Sequence, residues 1–358
     1  MTTLDELGGW PAVLRVLLAG EDLSSDLACT AFVEVLEGRA TSAQIAAFAV
    51  GLRAKGESIE ELTGLLDAMH DLADHVVLPD GTDAVDTCGT GGSPQRRIAC
   101  FNVSTVAAFV IAGAGATVCK HGGRAASATS SSGDLLEALG VVIDLGPDGV
   151  ARCVAETGFG FCFAPRYHPA MRHAAPVRKE LGVPTLFNVI GPLANPAGVR
   201  RQVLGVSDPK LATKMLGVLQ SRGAVRALVV HGADGFDEVT TATTSTVLEL
   251  HDGAIRTYEV DPTDFGIAPP APDALAGGDA AKNAELTHRV LSGEKGPHRD
   301  IVRLNAAAGL VAAGAVDSLG AGYDAAAASI DDGAAARVLE DLIRVSQAAR
   351  AAEPAPQD

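Results

Sequence analysis

From Ala84 onward the chain repeats one rhythm: a short run of β-branched or apolar residues, a glycine-rich turn, then a helical stretch. Parallel strands cannot be joined by a tight hairpin and need a crossover, so this alternation specifies βαβ units around a mainly parallel sheet. The predicted strands are Ala84 to Cys88, Ala116 to Cys119, Gly160 to Ala164, Gln202 to Val206 and Ala227 to His231, with helices such as Ser104 to Ala114 between them. Earlier residues follow a helical period. Thr41 stands three before Gln44 and Ser58 three before Glu61, two capping boxes that open the stripes Ile45, Phe48, Leu52 and Leu62, Leu65, Leu66, Met69. The expected architecture is α/β, with a small N-terminal helical domain over residues 1–78 and a larger α/β domain over 79–358. A helical unit this small buries little apolar surface alone, which predicts a dimer contact there.

Charge and composition remove several classes of function. With 28 basic and 44 acidic residues the formal charge is −16, the wrong sign for a protein that tracks a phosphate backbone. No apolar run is long enough to cross a bilayer, and the opening MTTLDELGGW lacks the pattern of a signal peptide, so the expectation is a cytoplasmic protein without membrane contact. The six cysteines are scattered without a C-x-x-C pair, which disfavours a zinc cage or a disulfide framework.

Chemistry concentrates at the ends of the predicted strands. Gly89-Thr90-Gly91-Gly92-Ser93 follows the first strand, where missing side chains let backbone N–H groups approach a phosphate or ribose; a purely steric role for the glycines is the alternative. Asn102-Val103-Ser104-Thr105 puts an amide and two hydroxyls at a helix N-terminus, which favours anions, although ordinary capping by Ser104 also explains it. Lys120-His121-Gly122-Gly123-Arg124 and the run from Ser127 to Ser132 combine cations with hydroxyls, a phosphate cradle in composition. Asp134 with Glu137 reads as a cap for the next helix. His168 to Arg178 carries several nitrogen donors able to clamp a carboxylate, and helical spacing would put Met171 and Arg178 on one face. Asp237-Glu238 supplies two hard oxygen ligands suited to magnesium, with a solvated acidic turn as the plain alternative.

Taken in order, these segments together with His168-Pro169, Val177-Arg178 and the run Phe187 to Pro196 resemble the anthranilate phosphoribosyltransferase family over nearly the whole chain. The resemblance implies a helical domain, with the helical segment at about 168–190 packed on it, hinged to a domain that binds phosphoribosyl pyrophosphate. It also implies a homodimer through the helical domains and a place in tryptophan biosynthesis. The implied reaction transfers a 5-phosphoribosyl group from phosphoribosyl pyrophosphate, with Mg2+, to the amine of anthranilate. Gly89, Gly92, Ser93, Asn102, Ser104, Thr105, Lys120, Arg124, Ser127 and Ser132 would surround the donor. Ser104, Asp237 and Glu238 would hold magnesium, and Gly89, His121, Gly123 and Arg178 would border anthranilate, with Arg178 at its carboxylate. No protein nucleophile or assigned acid–base residue is required, because the acceptor brings its own amine and the site has mainly to position it and stabilise charge.

Against the family's usual pattern, Ser93 replaces an aspartate, Gly123 an asparagine and Cys100 a threonine, and the loop from Ser93 to Phe101, which includes Arg96 and Arg97, is lengthened. The alternative functions are therefore the same transfer to a different or substituted aromatic acceptor, a pyrimidine nucleoside phosphorylase of the same fold, or a non-enzymatic nucleic-acid-binding relative. The carboxylate pair argues against the phosphorylase and the net charge against the last.

Overall fold

The computed structural model describes residues 3–91, 101–124, 129–271 and 273–353. Four helices come first: α1 (Gly9–Leu18), α2 (Ser25–Leu36), α3 (Ser42–Lys55) and α4 (Ile59–Asp71). Both expected capping boxes form. Gln44 N–H donates to Thr41 Oγ1 at 3.3 Å while Thr41 N–H donates to Gln44 Oε1 at 2.8 Å, and Ser58 and Glu61 exchange the equivalent bonds. Gly56 ends α3 at φ 88°, a conformation that disfavours a side chain.

The alternating part runs β1 (Ala84–Gly89), α5 (Val103–Gly113), β2 (Thr117–Gly122), α6 (Ser132–Ala138), α7 (Pro147–Thr157), β3 (Phe159–Phe163), α8 (Ala164–Tyr167), α9 (Ala175–Leu181), α10 (Leu186–Ile190), β4 (Arg201–Gly205), α11 (Pro209–Ser221) and β5 (Arg226–Gly232). After it come β6 (Ser245–His251), β7 (Ala254–Val260), α12 (Ala280–Leu291), α13 (Pro297–Ala313), α14 (Leu319–Asp331) and α15 (Ala334–Ala352). Proline in the first turn and a left-handed glycine at the end frame both α7 and α13. All five predicted strands are present, with ends within one residue of expectation except that β2 runs three residues further, to Gly122.

The strands lie in the order β3-β2-β1-β4-β5-β6-β7. The first five are mutually parallel, and β6 and β7 add antiparallel. Because β1 has β2 on one side and β4 on the other, the crossovers leave it in opposite directions. The carboxyl ends of β1 and β4 therefore flank an open crevice, the usual ligand position in such sheets.

Each sheet face has its own core. Along β5, Leu228 and Val230 pack with Phe109 of α5 and Leu304 of α13, whereas Ala227 and Val229 pack on the other side with Leu211 and Met215 of α11. That second core continues without a break into Phe32, Leu62 and Leu65 of the N-terminal helices. The helical bundle thus buries its stripe partly against the sheet's own helix layer. No helix among the described residues is long and apolar enough to cross a membrane.

Candidate active site

At the crevice, the turn after β1 and the end of β4 are bonded together: Thr90 N–H donates to Gly205 O at 2.9 Å, and Ser207 Oγ–H donates to Gly91 O at 2.9 Å. Asp237 reaches this junction from beyond β5, accepting Gly91 N–H on Oδ2 at 2.8 Å. Its main chain runs so close to β4 that a β-carbon on Gly205 would stand 1.8 Å from Asp237 O. Gly89 is constrained likewise, since its β-carbon would meet Asp237 Oδ2 at 2.6 Å. Asn305 of α13 pins the segment from behind, accepting Val239 N–H and donating to Val239 O, both at 2.9 Å. Asp237 and Glu238 are consequently buried, at 0% and 4% exposure. Two fixed carboxylates and the nearby serine hydroxyls are hard oxygen donors. Among the described residues no group of three or more His, Cys, Asp or Glu side chains forms a metal cage. This donor set therefore fits magnesium, which keeps waters and takes oxygens from a bound phosphate, better than it fits a cation needing a full protein shell.

Across the crevice the first turn of α5 carries Ser104 and Thr105. The structure makes Asn102, not Ser104, the residue preceding the helix, and its side chain does not cap. Asn102 is instead locked in a buried network, accepting on Oδ1 from Ser130 Oγ–H at 3.1 Å and from Asn283 Nδ2–H at 2.8 Å. Thr105 Oγ1–H donates to Ser132 Oγ at 3.0 Å, tying α5 to α6. Ser104 is the partly exposed member of the group. Lys120 is turned inward, its ammonium donating to Thr87 O and to Ser104 Oγ at 3.4 Å. It thus places positive charge beneath Ser104 and holds the ends of β1 and β2 at one level.

The expectation for Asp134 and Glu137 needs correction. Ser131 is the cap of α6 and forms a box with Asp134, because the helix begins one turn before Leu135. Glu137 lies a turn further on and grips Arg124 with both oxygens, at 2.6 and 2.8 Å, while the guanidinium also stands over the Phe163 ring. Gly123 accepts Gly133 N–H, and among the described residues a β-carbon there would meet only Ala164 Cβ at 3.7 Å, so the position has room for a side chain. Gly92, Ser93, Arg96, Arg97, Cys100 and Ser127 lie outside the described residues.

Two candidates border the other wall. His121 is buried, hydrogen-bonded to the backbone of Gly191, with Nε2 lacking a partner and its ring edge-on to His168 at 5.2 Å. Burial, and secondarily the neighbouring His168, push its pKa down to about 3, so the ring is neutral at physiological pH and a poor proton acceptor. Arg178, on α9, stacks on Phe187 of α10 at 5.3 Å, and Phe187 in turn meets Phe32 of α2. The helical bundle thus carries this arginine. Burial alone lowers its pKa, and no carboxylate pairs with it among the described residues. A partly desolvated, stacked guanidinium without an anion suits a ligand carboxylate.

The run from His168 to Arg178 does not form the continuous helix its spacing suggested. Pro169 starts a 3-10 turn that ends at His173, and α9 begins afresh at Ala175. Met171 and Arg178 therefore share no helical face, and His168 Nε2 is taken up by Ala194 O at 2.8 Å.

Sequence reasoning missed two supports of the site. Asp86, buried in β1, accepts His121 N–H at 3.2 Å and Asn195 Nδ2–H at 2.9 Å, and burial raises its pKa. Asn195 also donates to Cys119 O, so one amide spans two strands beneath the crevice. A carboxylate alternating with β-branched residues in a predicted central strand was the available signal. Gly205 was the other, a glycine at a strand end.

The molecule's likeness to known proteins bears on these features directly. The glycosyl transferase family, a/b domain, matches residues 81–336, and the glycosyl transferase family, helical bundle domain, matches residues 11–73. The anthranilate phosphoribosyltransferase of Rhodococcus jostii (strain RHA1) is 52% identical over 92% of this chain and 91% of its own. Among solved structures, anthranilate phosphoribosyltransferase from Thermus thermophilus superposes with a TM-score of 0.87 at 39% identity, over 94% of this chain and 99% of that one. The Saccharomyces cerevisiae enzyme in complex with PRPP and Mg gives 0.86 at 29% identity, over 95% and 98%. With its two-part architecture, switch-point crevice and carboxylate pair, the chain belongs to the anthranilate phosphoribosyltransferase family.

Proposed function

We propose that this protein transfers the 5-phosphoribosyl group of phosphoribosyl pyrophosphate to the amine of anthranilate, releasing pyrophosphate, with magnesium held by Asp237, Glu238 and Ser104. The observation that carries this reading is the buried Asp237-Glu238 pair at the switch-point crevice, with Asp237 bonded to the glycine turn of β1. The yeast relative's complex with PRPP and Mg supports the choice of donor and metal.

Breaking the bond between ribose C1 and pyrophosphate builds negative charge on the leaving group and positive charge on the sugar. When bound, magnesium supplies charge neutralisation at the diphosphate. The chain supplies the rest: the Ser104 hydroxyl backed by the Lys120 charge, and Arg124 once it exchanges Glu137 for a phosphate. Arg178 orients the acceptor through its carboxylate, and neutral His121 packs beside it without removing its proton. Holding the amine in line with C1 is worth several kcal/mol in such displacements. Residues 1–78 with the 168–190 segment would move as the acceptor-carrying unit. Exposed Leu18 and Val50, on α1 and α3, favour a homodimer through that unit, which gel filtration tests by mass.

The enzymatic test mixes protein, phosphoribosyl pyrophosphate, Mg2+ and anthranilate and follows loss of anthranilate fluorescence. Turnover that stops on chelating the metal is the expected result. Stable fluorescence at high enzyme concentration would refute the reading.

A further inference from the structure

A cavity of about 220 Å³ lies at the opposite end of the sheet from the crevice, where the chain enters β4 and β5. Its walls come from the end of α4, the segment 193–200 and the end of α11. The lining contains Arg200, Arg222, His70 and His168 but no aspartate or glutamate, in a chain whose overall charge is −16. Arg222 is held by Asp67 from outside the cavity. Arg200 makes no side-chain hydrogen bond or ion pair among the described residues. Leu66 and Leu219 are also part of the lining.

Two amides of the wall are already committed: Gln202 Nε2–H donates to Pro192 O at 2.7 Å, and Asn195 is bonded to Asp86 and Cys119. Exposed Arg200 is the cation left to meet a ligand. A pocket smaller than those that take drug-sized molecules, whose lining includes two arginines and two leucines and no carboxylate, suits an anionic head on a short apolar body.

We propose that this cavity binds a small carboxylate carrying an apolar body, at a site separate from the catalytic crevice. Inorganic phosphate would satisfy the arginines but leave the leucines uncovered, so the apolar body distinguishes the two anions.

Benzoate, which has the head and ring but no amine to react, serves as the probe. It is titrated calorimetrically into Arg178→Ala protein, which lacks the acceptor clamp, and into the same protein carrying Arg200→Gln or Ala224→Leu. Saturable binding should persist in Arg178→Ala. Arg200→Gln should weaken it roughly tenfold or more, the scale of one charge-assisted hydrogen bond, and Ala224→Leu should do the same by filling the space. Arg200→Gln alone should retain wild-type turnover, both KM values and the thermal midpoint. Binding that disappears with Arg178→Ala alone, that survives both cavity substitutions within twofold, or that phosphate matches in affinity would overturn the proposal.

Discussion

Gly205→Ala is the smallest change that tests how the carboxylate pair is held. A β-carbon at this position would stand 1.8 Å from Asp237 O and 2.5 Å from Asp237 C, whereas real β-carbons essentially never come within 3.0 Å of another heavy atom. Both obstructing atoms are backbone, so no side-chain rotation relieves the clash, and the Asp237 carbonyl must retreat by more than an ångström. Asn305 resists that retreat from the other side of the segment. Overpacking of this kind destabilises by about 1–3 kcal/mol, a drop of a few degrees in Tm. The catalytic effect should be larger, because the shift moves Asp237 Oδ2 away from Gly91 N–H, and a misplacement of about 1 Å can reduce rate by about 10²-fold. Initial rates at varied Mg2+ should show kcat/KM for phosphoribosyl pyrophosphate reduced on that scale and the metal requirement shifted to higher concentration. Gly320→Ala, at an exposed position of α14, is the control: its new methyl would stand 4.0 Å from Ser318 Oγ, and the variant should stay within about threefold of wild type. If Gly205→Ala kept wild-type rates and metal dependence, the close approach of β4 to Asp237 would have no bearing on the chemistry.

Three further outcomes concern the acceptor wall. Arg178→Ala should raise KM for anthranilate by ten- to a hundredfold, the range of about 1.5–3 kcal/mol for a hydrogen bond to a charged group, while KM for the donor stays within twofold. Gly123→Asn should lower KM for anthranilate, because the open space beside Ala164 admits an amide donor; an unchanged or raised value would count against that role. His121 should leave no limb near pH 6.5 in the kcat/KM profile for anthranilate, since its pKa is pushed down to about 3. Its linkage to stability has a definite sign. Between pH 6.5 and about 3 the unfolded chain binds a proton at His121 that the folded chain refuses, so stability falls with decreasing pH by up to about 1.4 kcal/mol per unit. His121→Asn should flatten that part of the urea-denaturation profile, and identical slopes would contradict the burial of a neutral ring.

The parts legible in the sequence were those governed by local rules. Thr41 and Ser58 announced their helices because a capping box needs only four residues, and four of the five parallel strands followed from runs with β-branched residues ending in glycine, the aromatic Phe159–Phe163 being the exception. The hairpin of β6 and β7 also has a local signature. Asp252-Gly253 adopts φ 47° and 81° between two alternating runs, the two-residue turn that an Asp-Gly pair favours. Other features depend on distant partners and had no local signature. Glu137 sits at helical spacing from Asp134, but its use as the partner of Arg124 depends on where the β2 loop folds. Lys120 reads as a phosphate ligand by composition, and only the packing of β1 against α5 turns it inward toward Thr87 and Ser104. The helix expected to join Met171 to Arg178 failed for a local reason that deserved more weight: Pro169 and Pro176 each restart the backbone. Asn195 bridges three segments far apart in the chain, which no spacing within one segment reveals.

Calorimetric titration of phosphoribosyl pyrophosphate into the protein, with and without Mg2+, is the most direct measurement of whether the crevice holds a metal–diphosphate pair. Saturable binding should require the cation and should fall by at least an order of magnitude when Asp237→Asn and Glu238→Gln are combined. Equal affinity in chelator, or a double variant that binds donor and metal as wild type does, would contradict the account at its centre.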